Sequence, residues 1–272
     1  MMRLQIVLAL TSLAFLGGWS YGRELGEGES SVNTEAAKLI SDALIQAKDQ
    51  SPGARLEIYQ LVAKVVRKNC PNNVLIAEKL QAADNADTLE KGLRESFEIL
   101  TFKMKKEADL PAGFPQPTPV GEIRLKQYPA YRLARTQSRK DSGFFKLLAH
   151  ITLNRIEMTA PVEMTYTSSE DKSPEQIDMA SLYSDAKIGQ VGNKLGGVKV
   201  EDVPAMTTVC IGLKGEDDRA DLAEIERRLE QWLSREAPEY ERAGKLRLLG
   251  YNSPEVAAKS RYYEVEMPIS KK

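Results

Sequence analysis

The spacing of hydrophobic positions changes its period once along this chain. Over residues 34–108 apolar side chains recur every three to four positions, and from residue 120 onward they tend to alternate with polar ones. The first spacing is that of helices packed by one stripe, the second that of half-buried strands. Thr34 is placed to cap a helix striped by Leu39, Ile40, Ala43, Leu44 and Ala47. Ser51-Pro-Gly53 turns into a second helix carrying Leu56, Tyr59, Leu61, Val62, Val65 and Val66, and Asn69-Cys-Pro-Asn-Asn73 ends it. Residues 74–83 and 88–106 give two more segments, the second striped by Leu89, Leu93, Phe97, Leu100 and Met104. An all-helical region over 34–108 is therefore expected, as a small bundle or as helical hairpins. The proline-rich run Leu110-Pro-Ala-Gly-Phe-Pro-Gln-Pro-Thr-Pro119 reads as an extended, stiff connector, and the domain boundary falls at 109–119.

Beyond it, 120–136 reads as strand bent at Tyr128-Pro129, followed by a helix over 142–151 with Phe144, Phe145, Leu147, Leu148 and Ile151. Asn154-Arg-Ile-Glu-Met-Thr-Ala-Pro-Val-Glu-Met164 then reads as one strand. Ile156, Met158, Ala160, Val162 and Met164 fall on one face, and Glu157, Thr159, Glu163 and Thr165 on the other. Pro161 makes it an edge or a bulge. After a polar turn at 168–174 come a strand over 177–183 and a loop over 184–197 holding Gly189, Gly192, Gly196 and Gly197. A long strand over 198–213 is bent at Val203-Pro204. A helix over 219–236 is striped by Leu222, Ile225, Leu229, Trp232 and Leu233, and strands over 246–251 and 262–269 close the chain. Gln127-Tyr-Pro-Ala-Tyr131 is echoed by Asp202-Val-Pro-Ala-Met206, and each echo leads into strand, turn, helix and a strand pair containing proline. The expected fold is α+β. Two strand-helix-strand-strand units join into an antiparallel sheet of about eight strands, curled into a distorted barrel with two flanking helices and a small-molecule cleft between its halves.

At the N-terminus, Arg3, an apolar run over 4–18, and Ser20 and Gly22 spaced two apart describe a secretory signal peptide over 1–22, followed by a flexible polar linker over 23–33. The run is short for a bilayer span. An uncleaved anchor is the alternative and the only membrane contact expected. The reading is thus an exported protein, periplasmic or extracellular. The 272 residues carry a net charge of -1 with no basic domain, which argues against nucleic acid as a partner. Cys210 lies in the apolar run Val209-Cys-Ile-Gly-Leu213 and Cys70 ends a helix; a bridge between them stays open, but two cysteines are no disulfide scaffold. His150 is the only histidine, so no zinc site of several histidines exists. No Gly-x-Ser-x-Gly elbow is present, and Lys194-Leu-Gly-Gly197 lacks the Gly-Lys-Ser/Thr of a phosphate loop. Glu157 and Glu163, six positions apart, would sit roughly 20 Å from each other on a strand, too far to act on one bond.

Several motifs occur together in one family. Tyr128-Pro-Ala-Tyr131, Phe144-Phe-Lys-Leu-Leu148, Ile156-Glu-Met-Thr-Ala-Pro-Val162, Gly250-Tyr-Asn-Ser-Pro254 and Arg261-Tyr-Tyr-Glu-Val265 make residues 120–272 resemble the SOUL haem-binding proteins. The resemblance implies a duplicated, distorted barrel like the effector-binding domains of some transcription regulators, with a tetrapyrrole in an apolar cleft beside the first barrel helix. By position it implies Phe144, Phe145, Leu148 and Met158 against the ligand. Lys146 and Arg155 are the nearby cations, and His150 is the candidate axial ligand of haem iron, with Met158 a thioether alternative. The chain departs from the family pattern where His150 replaces a usual tyrosine, and where Ala180-Ser-Leu-Tyr-Ser-Asp185 replaces a Ser-Phe-x-x-Pro strand. The expectation is an exported tetrapyrrole-binding protein, a binding protein sooner than an enzyme. The alternatives are a small-molecule hydrolase with Glu157 or Glu163 as base, and a module whose N-terminal helices grip a protein partner.

Overall fold

The structure, a computed structural model, describes residues 27–81, 85–137, 140–167, 174–216 and 221–272. The expected leader at 1–22 lies outside these residues, as do most of the turn at 168–174 and the start of the second long helix.

Four helices come first: α1 Glu27–Ala47, α2 Pro52–Asn69, α3 Val74–Lys79 and α4 Ala86–Leu100. Their limits follow local chemistry. Ser51 caps α2 by accepting from the Ala54 amide, with Pro52 in the first turn, where its missing N–H is no loss. Asn85 caps α4 through the Thr88 amide at 2.8 Å. α1 starts at Glu27, ahead of the expected cap at Thr34. Asn73 does two jobs: its Oδ1 accepts from the Ile76 amide to start α3, and its Nδ2 donates to the Val120 carbonyl at 2.8 Å. That second bond fastens the helices to the sheet.

The sheet has ten strands: β1 Ile123–Tyr128, β2 Tyr131–Thr136, β3 Val162–Tyr166, β4 Gln176–Leu182, β5 Gly192–Lys194, β6 Val198–Val203, β7 Met206–Lys214, β8 Tyr240–Arg242, β9 Arg247–Gly250 and β10 Tyr262–Lys271. Helices α5 Lys140–Leu153 and α6 Leu222–Glu236 complete the fold. Strand order is β1-β7-β10-β9-β3-β4-β2-β6-β5, with β8 beside β10 and all paired strands antiparallel. Omitting the short β5 and β8, the order reads the same from both ends when β1, β2, β3 and β4 exchange with β6, β7, β9 and β10. The exchange turns about the β3–β9 pair. The sheet is open. β1 and β5 are its ends, and the short β5 and β8 are additions to the strands the alternation predicts.

The expected long strand over 154–164 is cut down. Only Val162–Tyr166 pairs; residues 156–161 form a loop in which the Ala160–Pro161 peptide is cis. In that loop the Thr159 hydroxyl donates to the Leu182 carbonyl at 2.7 Å and the Ala160 amide to the Asp109 carbonyl at 3.0 Å. The faces of the paired part are the reverse of a simple core strand. Glu163 and Thr165 are buried, while Val162 and Met164 are half-buried.

The reversal holds across the sheet, because its two faces are built differently. The outer face is apolar. α6 packs Leu222, Ile225, Leu229 and Leu233 on Val209, Ile211, Val265 and Met267, and α5 packs Leu147 among Ala134, Met179, Val198 and Val200. The inner face carries charges and tyrosines, partly roofed by the connector and the N-terminal helices, which share one apolar core with Tyr128, Tyr131, Leu133, Leu182 and Leu249. Phe114 of the connector sits edge-on to Tyr128 and Tyr131, ring centroids 5.1 and 5.0 Å away. The Thr118 amide donates to Glu264 Oε1 at 2.7 Å. The connector lies so close that a Cβ on Gly212 of β7 would stand 2.3 Å from the Thr118 carbonyl oxygen. Cys70 and Cys210 are both free and buried, and burial pushes the Cys70 thiol up to about 11 and the Cys210 thiol up to about 12.

Glu264 is fully enclosed on the inner face. It accepts from Lys126 Nζ at 2.5 Å, Tyr251 Oη at 2.6 Å and the Thr118 amide. Burial alone would raise its carboxyl, but the Lys126 ammonium and these donors outweigh burial and hold it below its ordinary value of 4.5. A Glu264→Gln change leaves Lys126 buried without an anion and is expected to cost about 3–5 kcal/mol of unfolding free energy, read as a lower urea midpoint. Because the folded-state pKa is depressed, the wild-type advantage over E264Q is full above about pH 4.5 and shrinks as pH falls below it. An advantage that grew on acidification would contradict this assignment.

Candidate functional site

Two surfaces are candidates, one on each face of the sheet. The first is the outward side of α5. The inward positions of this helix are Gly143, Leu147, His150 and Ile151, all buried. The opposite stripe, Phe145, Ala149 and Leu153, is also apolar, and there Phe145 is 65% and Leu153 82% exposed. A helix apolar on both sides thus leaves one stripe largely exposed. Phe144 and Leu148 are half-buried at its flank, with the Phe144 ring edge-on to Phe145 at 6.0 Å. Lys146 is exposed on the same helix, and Met158, just past its end, is 40% exposed.

His150 does not share that outward face. It is buried; its Nε2 shares a hydrogen bond with Tyr183 Oη at 2.9 Å, and its Nδ1 lies 3.4 Å from Asn154 Nδ2. Burial lowers its pKa, and the nearby Lys194 ammonium lowers it further. Arg155 and Glu157 are exposed just beyond the helix, Arg155 at a φ of 54°.

The second surface is a cleft of about 710 Å³ on the inner face. Both Pro–Ala turns contribute to it, through Tyr128 and Tyr131 of the first and Val203, Ala205 and Met206 of the second. Arg135, Glu163, Lys245 and Arg247 supply its charges, and Pro268 and Ile269 supply further apolar wall. None of Phe144, Phe145, Lys146, Leu148, His150 or Met158 lines it. Arg247 is its centre: it donates to Glu266, to Tyr131 Oη at 3.0 Å and to Met206 Sδ at 2.9 Å, lies over the Tyr128 ring, and is 3.6 Å from Glu163. Arg135 forks to Asp178 at 2.6 Å, Glu201 at 2.8 Å and Glu163 at 3.2 Å. Both oxygens of Glu163 are thus engaged, by Arg135 on one side and by Tyr131 and Arg247 on the other. A base role for Glu163 would therefore act from a carboxylate already bonded on both oxygens.

The periodicity passed over Arg135, Arg247 and Glu266 because it assigned charge to solvent. A signal was present. Charges at alternate positions inside otherwise apolar strands, Leu246-Arg-Leu-Leu249 and Tyr263-Glu-Val-Glu-Met267, put charge and hydrophobe on opposite faces of a buried strand. Among the described residues no group of His, Cys, Asp or Glu is arranged to hold a metal ion.

A family model described as SOUL heme-binding protein matches residues 113–268. No curated protein sequence matches the chain. Among solved structures, the chain is similar to the C-terminal domain of EcmrR at 19% identity, with 56% of this chain and 98% of that one covered and a TM-score of 0.42. It is also similar to EcmrR in a DNA complex, at 14% identity, 90% and 82% coverage and a TM-score of 0.43. A hydrolase from Listeria innocua aligns at 11% identity, 57% and 94% coverage and a TM-score of 0.41.

As the only histidine, His150 gives a single imidazole signal for measurement. Its proton NMR titration is expected to have a midpoint below 6.5, and Lys194→Gln, which removes the second cause of the shift, is expected to move that midpoint upward. A midpoint above 6.5 in the wild type would show the imidazole to be solvated or paired with an anion instead.

Proposed function

The chain belongs to the SOUL heme-binding protein family, and on that premise we propose that it binds a tetrapyrrole on the outward side of α5. The observation that carries the reading is the second apolar stripe of that helix: Phe145 and Leu153, with Met158 beyond them, offer an exposed hydrocarbon surface. A tetrapyrrole is a flat, largely apolar body with acidic side chains, so Phe145, Leu153 and Met158 suit its face and Lys146 suits an acid group. Haem held there would supply its own iron chemistry; the residues supply surface, orientation and charge. His150 points the other way and is bonded to Tyr183. We therefore read the ligand as held through its ring face and its acids, without an imidazole bond to iron. The hydrolase alternative is the weaker reading: Glu163 is engaged by Arg135 and Arg247, and Glu157 stands exposed outside the cleft.

The test is a hemin titration of the whole protein, followed in the Soret band. Burying two large apolar side chains is worth roughly 1.5–3 kcal/mol each at most, so a Phe145→Asp, Leu153→Asp pair is expected to weaken hemin by about tenfold or more. His150→Gln should leave the Soret maximum of the complex where it was. Unchanged affinity in the double variant would remove α5 as the site, and a Soret shift in H150Q would restore the imidazole as an iron ligand.

Export is part of the same proposal, supported by Arg3, the apolar run at 4–18 and the small residues Ser20 and Gly22. N-terminal sequencing of the protein from cell fractions is expected to give a chain starting at Arg23 outside the cytoplasm. A chain still starting at residue 1 in the soluble cytoplasm would refute it.

A further inference from the structure

The inner cleft is a surface apart from α5, and its chemistry is distinct. A guanidinium has five N–H donors and no acceptor. In Arg247 they are unevenly used. Glu266 takes one end, and Nη1 serves Tyr131 Oη together with the thioether of Met206, while Nε has no hydrogen-bond partner among the described residues. Sulfur is a weak acceptor, and a buried charged donor left on sulfur or on nothing is unfavourable. Arg247 is only 6% exposed. Met206, which covers part of the guanidinium, belongs to the cleft wall and has a flexible side chain able to move aside. Lys245 stands exposed on the same wall.

We propose that this cleft binds an organic carboxylate with an apolar body. The acid replaces the Met206 thioether at Arg247, Lys245 adds a second positive charge at the mouth, and the body lies against Val203, Pro268 and Ile269. A cationic ligand is disfavoured because Glu163, the only carboxylate in the wall, has both oxygens committed to Arg135, Tyr131 and Arg247. The cavity volume is within the range of about 300–1,000 Å³ typical of small-molecule sites. The site is independent of the tetrapyrrole reading, because α5 packs on the outer face of the sheet and the cleft opens on the inner one.

The experiment is calorimetric titration of the whole protein with three probes of one shape: naphthoate, its amide, and naphthylmethylammonium. Naphthoate is expected to bind at least about tenfold more tightly than the amide, as a charge-assisted bond to a buried guanidinium requires, and the cation should not bind measurably. Lys245→Gln is expected to weaken naphthoate about three- to fivefold, the scale of an exposed ion pair. Met206→Leu keeps the volume and removes the competing sulfur; it should tighten naphthoate and leave the amide unchanged. Arg247→Lys keeps a positive charge for Glu163 and Glu266 and should weaken naphthoate by about tenfold or more; if this variant does not fold, K245Q and M206L still decide. Saturation with hemin should leave naphthoate affinity unchanged. Equal binding of acid and amide, preference for the cation, no binding of the acid, indifference to both K245Q and M206L, or competition by hemin would each overturn the assignment.

Discussion

The structure depends on a row of charges enclosed between the inner face of the sheet and what covers it. Lys126 on β1 pairs with Glu264 on β10; Glu266, two residues on, pairs with Arg247 on β9. Arg247 reaches Glu163 on β3, and Arg135 on β2 joins Glu163 to Asp178 on β4 and Glu201 on β6. β7 adds the Thr208 hydroxyl, bonded to Glu266 at 2.9 Å. Each of the eight long strands thus contributes to one connected polar layer. Charges removed from water tolerate only a partnered geometry, and the loss of Glu264 or Arg247 leaves Lys126 or Glu266 without its opposite charge in a poorly solvated place. An intact buried pair gives little net stability, but it discriminates strongly between registers. Glu266 stands opposite Arg247, Arg247 opposite Thr165, and Thr165 opposite Asp178. A slip of one residue would turn this row into the apolar contacts of α5 and α6.

That constraint fixes where everything else goes. With charges inward, the hydrophobic halves of the strands face outward and need cover, which α5 and α6 provide. The inner face cannot be left wholly to water either, since Tyr251, Tyr262 and Leu249 stand among the charges. The connector crosses it and presents backbone groups and Phe114 instead of a solvated edge. What the connector leaves open is the cleft at the two Pro–Ala turns. The proline-rich run, stiff and unable to join a ladder, suits a strap laid across strands better than a tether between independent bodies. Its anchors continue into the helices, through Asn73 at Val120 and through the shared apolar core.

The two candidate surfaces differ for the same reason. The tetrapyrrole surface lies on the outer layer, where a helix supplies more hydrocarbon than the sheet can bury. The carboxylate cleft lies on the inner layer, where a guanidinium has more donors than its neighbours can fill. Neither follows from the family pattern in the way first expected. An apolar hollow between the halves does not describe this cleft, whose walls include Arg135, Glu163, Lys245 and Arg247.

Much was legible in the residues. The change of period at the connector, the breaks at Pro52 and Asn73, the bends at Pro129 and Pro204, and the echo of one Pro–Ala turn in the other are local features. A few neighbouring dihedrals decide each of them, so the chain alone determined these breaks and bends and the family motifs, though not the extent of the strand before Pro161. Side-chain partners were a different matter. Glu163 reads as a solvated residue because alternation reports only that successive side chains point opposite ways, never which way is inside. That choice was made by Arg135 and Arg247, 28 and 84 residues distant along the chain, and by strand pairings that bring all three together. Whether His150 faces a ligand or the core is likewise not legible in sequence; packing turns it toward Tyr183. Burial of charge is a long-range property, set by what lies across the sheet; only the assembled fold decides it.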